Sequence, residues 1–226
     1  MNSFAKNIIC EICEICERKF FLYLAVNKPM KKWAIDINNT EKNMRKALLL
    51  IDLQNDYFPG GKMTLDGANE SVLNARLLLD RFRNEFWPVF HIRHVAMKPD
   101  ATFFLPGTAG SRINPNVGPL KGENVITKNY PNAFRDTALL NLLKKIDIQE
   151  LVICGMMTHM CIDATTRAAK DFGYNCTVIR DACATKALEI NGQVISSKNV
   201  HLSFLGGLAA YYSNVLTTEE FLNSTL

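Results

Sequence analysis

Apolar residues along this chain fall into short, largely continuous runs that alternate with segments of helical spacing. Runs of this kind are typical of strands buried on both faces of a parallel sheet. Six of them predict strands, at residues 47–52, 88–94, 123–127, 151–154, 176–179 and 215–216.

The segments between these runs predict the helices. Apolar residues recur at helical spacing over residues 69–86, 136–145, 158–172 and 193–212, with an interruption expected near Gly206, and a capped terminal helix begins at Thr218. Residues 98–122 are rich in proline and glycine and predict a long loop of the kind that often serves function. The alternation predicts an α/β fold: a three-layer, doubly wound, Rossmann-type sheet of about six mostly parallel strands with helices on both faces.

The first 43 residues differ from the rest of the chain. They carry Cys10, Cys13 and Cys16 with no fourth cysteine or histidine nearby, and metal sites of this type as a rule need four ligands. The acidic residues that precede their short apolar run are untypical of a secretory signal or a transit peptide. We predict that residues 1–43 are an N-terminal extension, disordered or preceding a true start at Met44, and that residues 44–226 form one domain.

Composition excludes several classes of protein. A hydrophobic fraction of 48% and a charged fraction of 21% are ordinary for a globular chain. The net charge of +4 comes without a clustered basic face, so no nucleic-acid partner is predicted. No apolar run approaches the roughly 20 residues that span a membrane. Seven cysteines are too sparse for a disulfide scaffold, so we expect a reducing, cytoplasmic compartment.

Three chemically active side chains are predicted at one edge of the sheet. Ligands of an open α/β sheet bind beyond the carboxyl ends of its strands. The first strand ends at Asp52, the third delivers Lys128, and the fourth leads into a segment that contains Cys161. A helix capped at Thr158 would place Cys161 in its first turn, where the helix dipole and Lys128 favour a thiolate. Asp52 would then act as the general base.

Three segments resemble the isochorismatase-like hydrolase superfamily in order and spacing. They are LLIDLQNDY at 49–57, VITKNYPNAF at 125–134 and VICGMMTHMCIDATTRAA at 152–169, and the resemblance runs from about residue 45 to the end. In the cysteine hydrolases of this superfamily, the resemblance implies a catalytic triad of Asp52, Lys128 and Cys161. It also implies a cis peptide between Met156 and Met157, and an oxyanion hole formed by the backbone amides of Met157 and Cys161.

The same resemblance guides the remaining site residues. If these motifs superpose on those of the superfamily, four side chains line a substrate pocket: Tyr57, His94, Phe134 and Thr158. Nicotinamidase-related proteins are similar but add a metal site. Here His91 and His94 lie three apart in a strand and point to opposite faces, so neither a metal nor a cofactor is predicted. The Gly155 to Cys161 turn is similar to that of streptothricin hydrolase-like proteins.

A nucleophilic cysteine favours hydrolysis of a small-molecule amide, lactam or carbamoyl C–N bond through a thioester. Isochorismatases cleave a vinyl ether and commonly lack this cysteine, so vinyl-ether hydrolysis is the alternative. A non-catalytic interaction module of the same fold and a redox protein that uses Cys161 with Cys183 are further alternatives. The resemblance also implies a homo-oligomer, a dimer or a tetramer, without a membrane partner.

Overall fold

A parallel sheet of six strands forms the centre of the protein. The structure, a computed structural model, describes residues 45–224, and the predicted extension at residues 1–43 lies outside them. The strand order is β3-β2-β1-β4-β5-β8, and every neighbouring pair is parallel. The strands are β1 (Lys46–Ile51), β2 (Val89–His94), β3 (Asn124–Lys128), β4 (Glu150–Met156), β5 (Asn175–Ala184) and β8 (Asn214–Leu216). The predicted fold class is confirmed.

Five α-helices cover this sheet within residues 45–224. They are α1 (Ala68–Asn84), α2 (Leu139–Lys145), α3 (Asp163–Asp171), α4 (Ser197–Ala209) and α5 (Thr218–Ser224). Helix α1 packs with α5, where Phe82 stacks on Phe221, and α3 packs with α4. Because crossovers between parallel strands are right-handed, the reversal of strand order between β1 and β4 places these two helix pairs on opposite faces. No helix of residues 45–224 is long and apolar enough to cross a membrane.

The segment before α4 differs from the prediction. Gln193–Ile195 forms strand β7, which pairs antiparallel with β6 (Leu188–Ile190), so the helix predicted from residue 193 begins only at Ser197. Asn191 and Gly192 connect the two strands, and both have positive φ. An Asn-Gly pair with two positive φ angles is the preferred two-residue hairpin turn, and this signal outweighed the helical spacing. The interruption expected near Gly206 is also wrong, because α4 continues to Ala209.

A partly buried ionic network lies at the edge of the sheet opposite the candidate site. Arg83 of α1 donates two hydrogen bonds to the Glu123 carboxylate, at 2.7 and 2.8 Å, and His91 Nε2 lies 2.9 Å from the same group. Burial raises the pKa of Glu123, but the hydrogen bonds from Arg83, the Leu120 amide and His91 outweigh burial and hold that pKa at about 2. Glu123 therefore stays ionised well into the acid range.

Replacing Glu123 is expected to change the acid stability of the fold. The ordinary pKa is 4.5 and the folded value is about 2, so the carboxylate stabilises the fold above pH 4.5 and loses this contribution as the pH falls towards 2. In Glu123→Gln, the free energy of unfolding should be lower at neutral pH and should fall less steeply over that window. Urea unfolding as a function of pH measures this, with the exposed Glu189→Gln as the control. A slope equal to that of the wild type would contradict the assignment.

Candidate active site

The three residues of the predicted triad meet at the carboxyl edge of the sheet. Asp52 follows β1 directly, Lys128 is the last residue of β3, and Cys161 lies beyond the end of β4. Lys128 Nζ is 2.7 Å from Asp52 Oδ2 and 3.3 Å from Cys161 Sγ. All three side chains are buried. They meet where the strand order reverses between β1 and β4, the point at which doubly wound sheets bind their ligands.

Lys128 has no spare donor in this arrangement. Besides Asp52 and Cys161, its ammonium lies 3.1 Å from the Tyr130 carbonyl oxygen and 3.3 Å from His94 Nδ1. An ammonium group has three donors and accepts nothing, so four acceptors saturate it and His94 Nδ1 must act as an acceptor. Burial, followed by the Lys128 charge, lowers the pKa of His94 despite the opposing charge of Asp52. A neutral His94 therefore carries its proton on Nε2.

Burial acts against the thiolate that the sequence predicts at Cys161. Burial raises the pKa of Cys161 and the Asp52 charge raises it further, whereas Lys128 opposes both without cancelling them. This direction favours a neutral thiol in the free site over the thiolate that the sequence predicts, because the sequence gives no measure of how completely Cys161 is desolvated. Burial alone would lower the pKa of Lys128, but Asp52 and Cys161 raise it, so the ammonium stays charged. The raised pKa values thus favour a thiol at Cys161 and an ammonium at Lys128 in the free site.

The two oxygens of the Asp52 side chain have different surroundings. Asp52 Oδ2 accepts from Lys128, whereas Asp52 Oδ1 is buried and has no hydrogen-bond partner among residues 45–224. A buried carboxylate oxygen without a donor is costly in a purely structural role. An unpartnered oxygen of Asp52 thus lies in the same buried cluster as the thiol of Cys161.

Cys161 is positioned by a π turn, not by the first turn of an α-helix. Strand β4 leads through a cis peptide bond between Met156 and Met157 into the turn Thr158–Ile162, and α3 follows. The Met157 carbonyl accepts the amides of Met160 and Ile162, at 3.0 and 3.2 Å. A single π turn of this kind inside a helix is frequent at functional sites. The amides of Met157 and Cys161, the predicted oxyanion donors, belong to this segment.

Thr158 anchors the π turn to the rest of the fold. Its hydroxyl lies 2.9 Å from His201 Nδ1 of α4 and 3.3 Å from the Ala184 carbonyl oxygen of β5. The side chain is fully buried and does not line the cavity in front of Cys161. In this structure Thr158 therefore contacts the protein interior, not the space predicted for the substrate.

Gly155 allows β4 to approach β1 immediately before the turn. It pairs with Ile51, the residue before Asp52, and has φ +126°. A Cβ atom on Gly155 would lie 1.9 Å from the Ile51 carbonyl oxygen. This close approach links the strand that carries Asp52 to the strand that leads to Cys161.

A cavity of about 800 Å³ opens in front of Cys161. Tyr57 and His94 line it, as predicted by sequence. Its wall also includes Met157, Met160, Tyr130, Pro131, Asn129 and residues 96–104. Phe134 lies elsewhere: its ring packs against Phe172 and Tyr174, with centroids 5.2 and 6.3 Å apart. The motif places Phe134 one residue after the buried Ala133, and this position turns its ring towards the core.

The buried carboxylate of Asp56 anchors the loop that closes this cavity. It accepts the amide of Phe104 at 2.7 Å and that of Lys62 at 3.2 Å, and its own backbone N–H donates to the Gly110 carbonyl at 2.9 Å. A Cβ atom on Gly110 would lie 2.1 Å from Asp56 Oδ1. Sequence reasoning missed Asp56, because a polar residue after a strand gives no sign that it is buried.

The two histidines of β2 belong to separate networks, as their spacing predicts. His91 contacts Glu123, whereas His94 lies beside Lys128. Within residues 45–224, no group of three or more His, Cys, Asp or Glu side chains is arranged to hold a metal ion.

The fold and the site together define a Rossmann-type α/β protein with a cysteine-centred site at the switch in strand order. The family model of the isochorismatase domain matches residues 46–219. An uncharacterised isochorismatase family protein, YddQ of Bacillus subtilis (strain 168), is 48% identical over 179 residues, which are 79% of this chain and 99% of that protein. The chain belongs to the isochorismatase family of hydrolases.

Two further comparisons agree with this family. A crystal structure described as an isochorismatase hydrolase from Oleispira antarctica superposes with a TM-score of 0.77 at 46% identity, and it covers 80% of this chain and 97% of that chain. Nicotinamidase 3 of Arabidopsis thaliana is 31% identical over 151 residues, or 62% of this chain and 73% of that protein. The family thus includes relatives named for the hydrolysis of an amide.

Proposed function

We propose that this protein is a metal-independent cysteine hydrolase that cleaves a C–N bond of a small molecule through a thioester. The observation that carries the proposal is the contact of one buried ammonium with both the Asp52 carboxylate and the Cys161 thiol. A purely structural ion pair would not need a buried thiol at its side, facing a cavity. The name of the nicotinamidase relative supports an amide, lactam or carbamoyl substrate.

The mechanism begins with transfer of the thiol proton to Asp52. As Cys161 Sγ attacks the carbonyl carbon, Asp52 Oδ1 takes this proton, and Lys128 stabilises the negative charge on sulfur. The carbonyl π electrons move to oxygen, and the amides of Met157 and Cys161 donate to the resulting oxyanion. The tetrahedral intermediate collapses, the C–N bond breaks, and Asp52 returns its proton to the leaving nitrogen. Each proton and electron pair is thereby accounted for.

Water completes the cycle. Asp52 removes a proton from a water molecule that attacks the thioester carbonyl, and the second tetrahedral intermediate expels the sulfur. The proton on Asp52 then returns to Cys161, which restores the starting state. Neutral His94, with its proton on Nε2, is a donor at the edge of the cavity and is suited to orient the substrate.

An activated ester tests for the covalent intermediate. With p-nitrophenyl acetate, we expect a burst of p-nitrophenolate of about one equivalent per chain, followed by slower turnover. Intact mass should increase by one acetyl group, and peptide mapping should place that group on Cys161. Turnover without a burst and without an adduct would favour direct attack by water, the route expected for the alternative vinyl-ether hydrolase.

Location and assembly are part of the proposal. All four cysteines of residues 45–224 are free and buried, which is compatible with a reducing cytoplasm.

Ile190 and Val194 on the β6–β7 hairpin are 61% and 71% exposed, so they offer apolar surface for a homodimer or a homotetramer. Light scattering of the purified chain measures the subunit number, and a monomer would contradict this part.

A further inference from the structure

We infer that the substrate is a neutral amide with a ring-sized apolar group, and that the cavity discriminates against a carboxylate near the scissile bond. This inference rests on the proposed function and specifies its substrate class. Three properties of the cavity in front of Cys161 carry it: its size, its wall and the absence, among the described residues, of an uncompensated buried cation beside Cys161.

The cavity is too large for the smallest amides. Its volume of about 800 Å³ lies in the upper part of the range of roughly 300–1,000 Å³ that is usual for sites of drug-sized ligands. An acetamide-sized molecule would leave most of this space to water and would contact only one wall. A substrate that uses the cavity therefore carries a substituent of at least one ring.

Aromatic and sulfur-bearing side chains form about half of the wall. The Tyr57 ring packs on Phe104 at 4.7 Å and on Phe103 at 6.0 Å between centroids. Met157 and Met160 face the same cavity from the π turn. Aromatic rings favour edge contacts with another ring, and methionine adapts to flat apolar groups. The wall therefore matches an aromatic or alicyclic substituent.

No positive charge remains near Cys161 to receive a carboxylate. Lys128 faces four acceptors, and the negative charge of Asp52 compensates its own. Lys98 is the one lysine or arginine that lines the described wall, and it is exposed, as is Asp100, which lines the same cavity. A buried carboxylate without a partner loses its hydration without compensation. A substrate anion close to the scissile carbonyl would therefore be disfavoured.

Alkylation of Cys161 tests the charge preference without a known substrate. Iodoacetamide and iodoacetate have nearly the same size and differ in charge. Rates at Cys161 in the full chain, followed by peptide mapping at one alkaline pH, are divided by the rates of N-acetylcysteine. We expect the amide-to-acid ratio at Cys161 to exceed the reference ratio at least tenfold.

The possible outcomes separate the inference from the proposed function. If both reagents label Cys161 and the ratio equals the reference, the cavity accepts anions and the inference fails, although the nucleophile stands. If neither reagent labels Cys161 while N-acetylcysteine reacts, the inference fails, because the cavity then brings no neutral amide to the thiol; the burst with p-nitrophenyl acetate decides separately whether Cys161 is the nucleophile.

A second comparison tests the ring preference. N-benzyl iodoacetamide should label Cys161 at least threefold faster than iodoacetamide, relative to N-acetylcysteine. Phe103→Ala should reduce this gain, because Phe103 contributes to the wall. The matched control is Phe86→Ala, whose side chain is 94% exposed and away from the cavity, and it should keep the gain. A gain that is absent in the wild type would overturn the ring preference.

Discussion

Replacing Cys161 by alanine is expected to abolish turnover, with kcat reduced at least about a thousandfold, as for the loss of other enzymatic nucleophiles. Without Sγ no thioester can form, and Asp52 and Lys128 retain their ion pair at 2.7 Å, so the pocket stays intact. Release of p-nitrophenolate from the activated ester, followed for wild type and variant at equal concentration, measures the effect. The acetyl adduct should also disappear from the intact mass of the variant.

Cys176→Ala is the matched control for this substitution. Cys176 is as buried as Cys161, but it lies on β5 near the Thr166 and Tyr174 carbonyls, away from the cavity. The control should retain the wild-type burst and adduct at Cys161. Full turnover by Cys161→Ala would refute the thioester route and would leave direct attack by water, with Asp52 as its base.

Replacing Gly155 by alanine is expected to be the most destabilising single methyl addition in the site. The new Cβ would lie 1.9 Å from the Ile51 carbonyl oxygen, and alanine would have to adopt φ +126°. Backbone cannot yield as a flexible side chain can, so we expect a loss of about 4 kcal/mol or more in the free energy of unfolding. Chemical denaturation of the purified variant measures it. Activity should fall too, because separating β4 from β1 moves Cys161 away from Asp52.

Gly206→Ala provides the opposite result with the same chemical change. Gly206 lies inside α4, and a Cβ atom there would meet nothing within 4 Å. This substitution should stabilise the protein by about 0.5–1 kcal/mol, because alanine restricts the unfolded chain and favours the helix. Nearly equal stability of the two variants would contradict the steric argument at Gly155.

The sequence was most informative where burial and chain direction act together. Apolar runs predicted all six strands of the main sheet, and the residues that follow them, Asp52 and Lys128, could be placed at one edge from topology alone. The sequence was least informative where three-dimensional packing determines the direction or the protonation of a side chain. The direction of the Phe134 ring and the protonation of Cys161 both depend on how completely neighbouring elements exclude water. The hairpin at Asn191 is a different case, because its Asn-Gly turn signal is visible in the sequence but stands beside residues with helical spacing.

Asp56 connects the segment that follows β1 to the loop that lines the cavity. Asp52 and Asp56 are close in sequence but have different contacts. Asp52 lies in the buried cluster with Lys128 and Cys161, whereas Asp56 accepts a hydrogen bond from the backbone of the loop at Phe104. Because this attachment uses the Phe104 amide, the loop side chains are free to vary while the anchor is kept. Substitutions of these loop side chains would therefore alter the cavity wall and leave the ion pair of Asp52 and Lys128 in place. Changes in substrate specificity should therefore concentrate in residues 96–104. A library of variants restricted to that segment is the direct way to change which substrate is accepted.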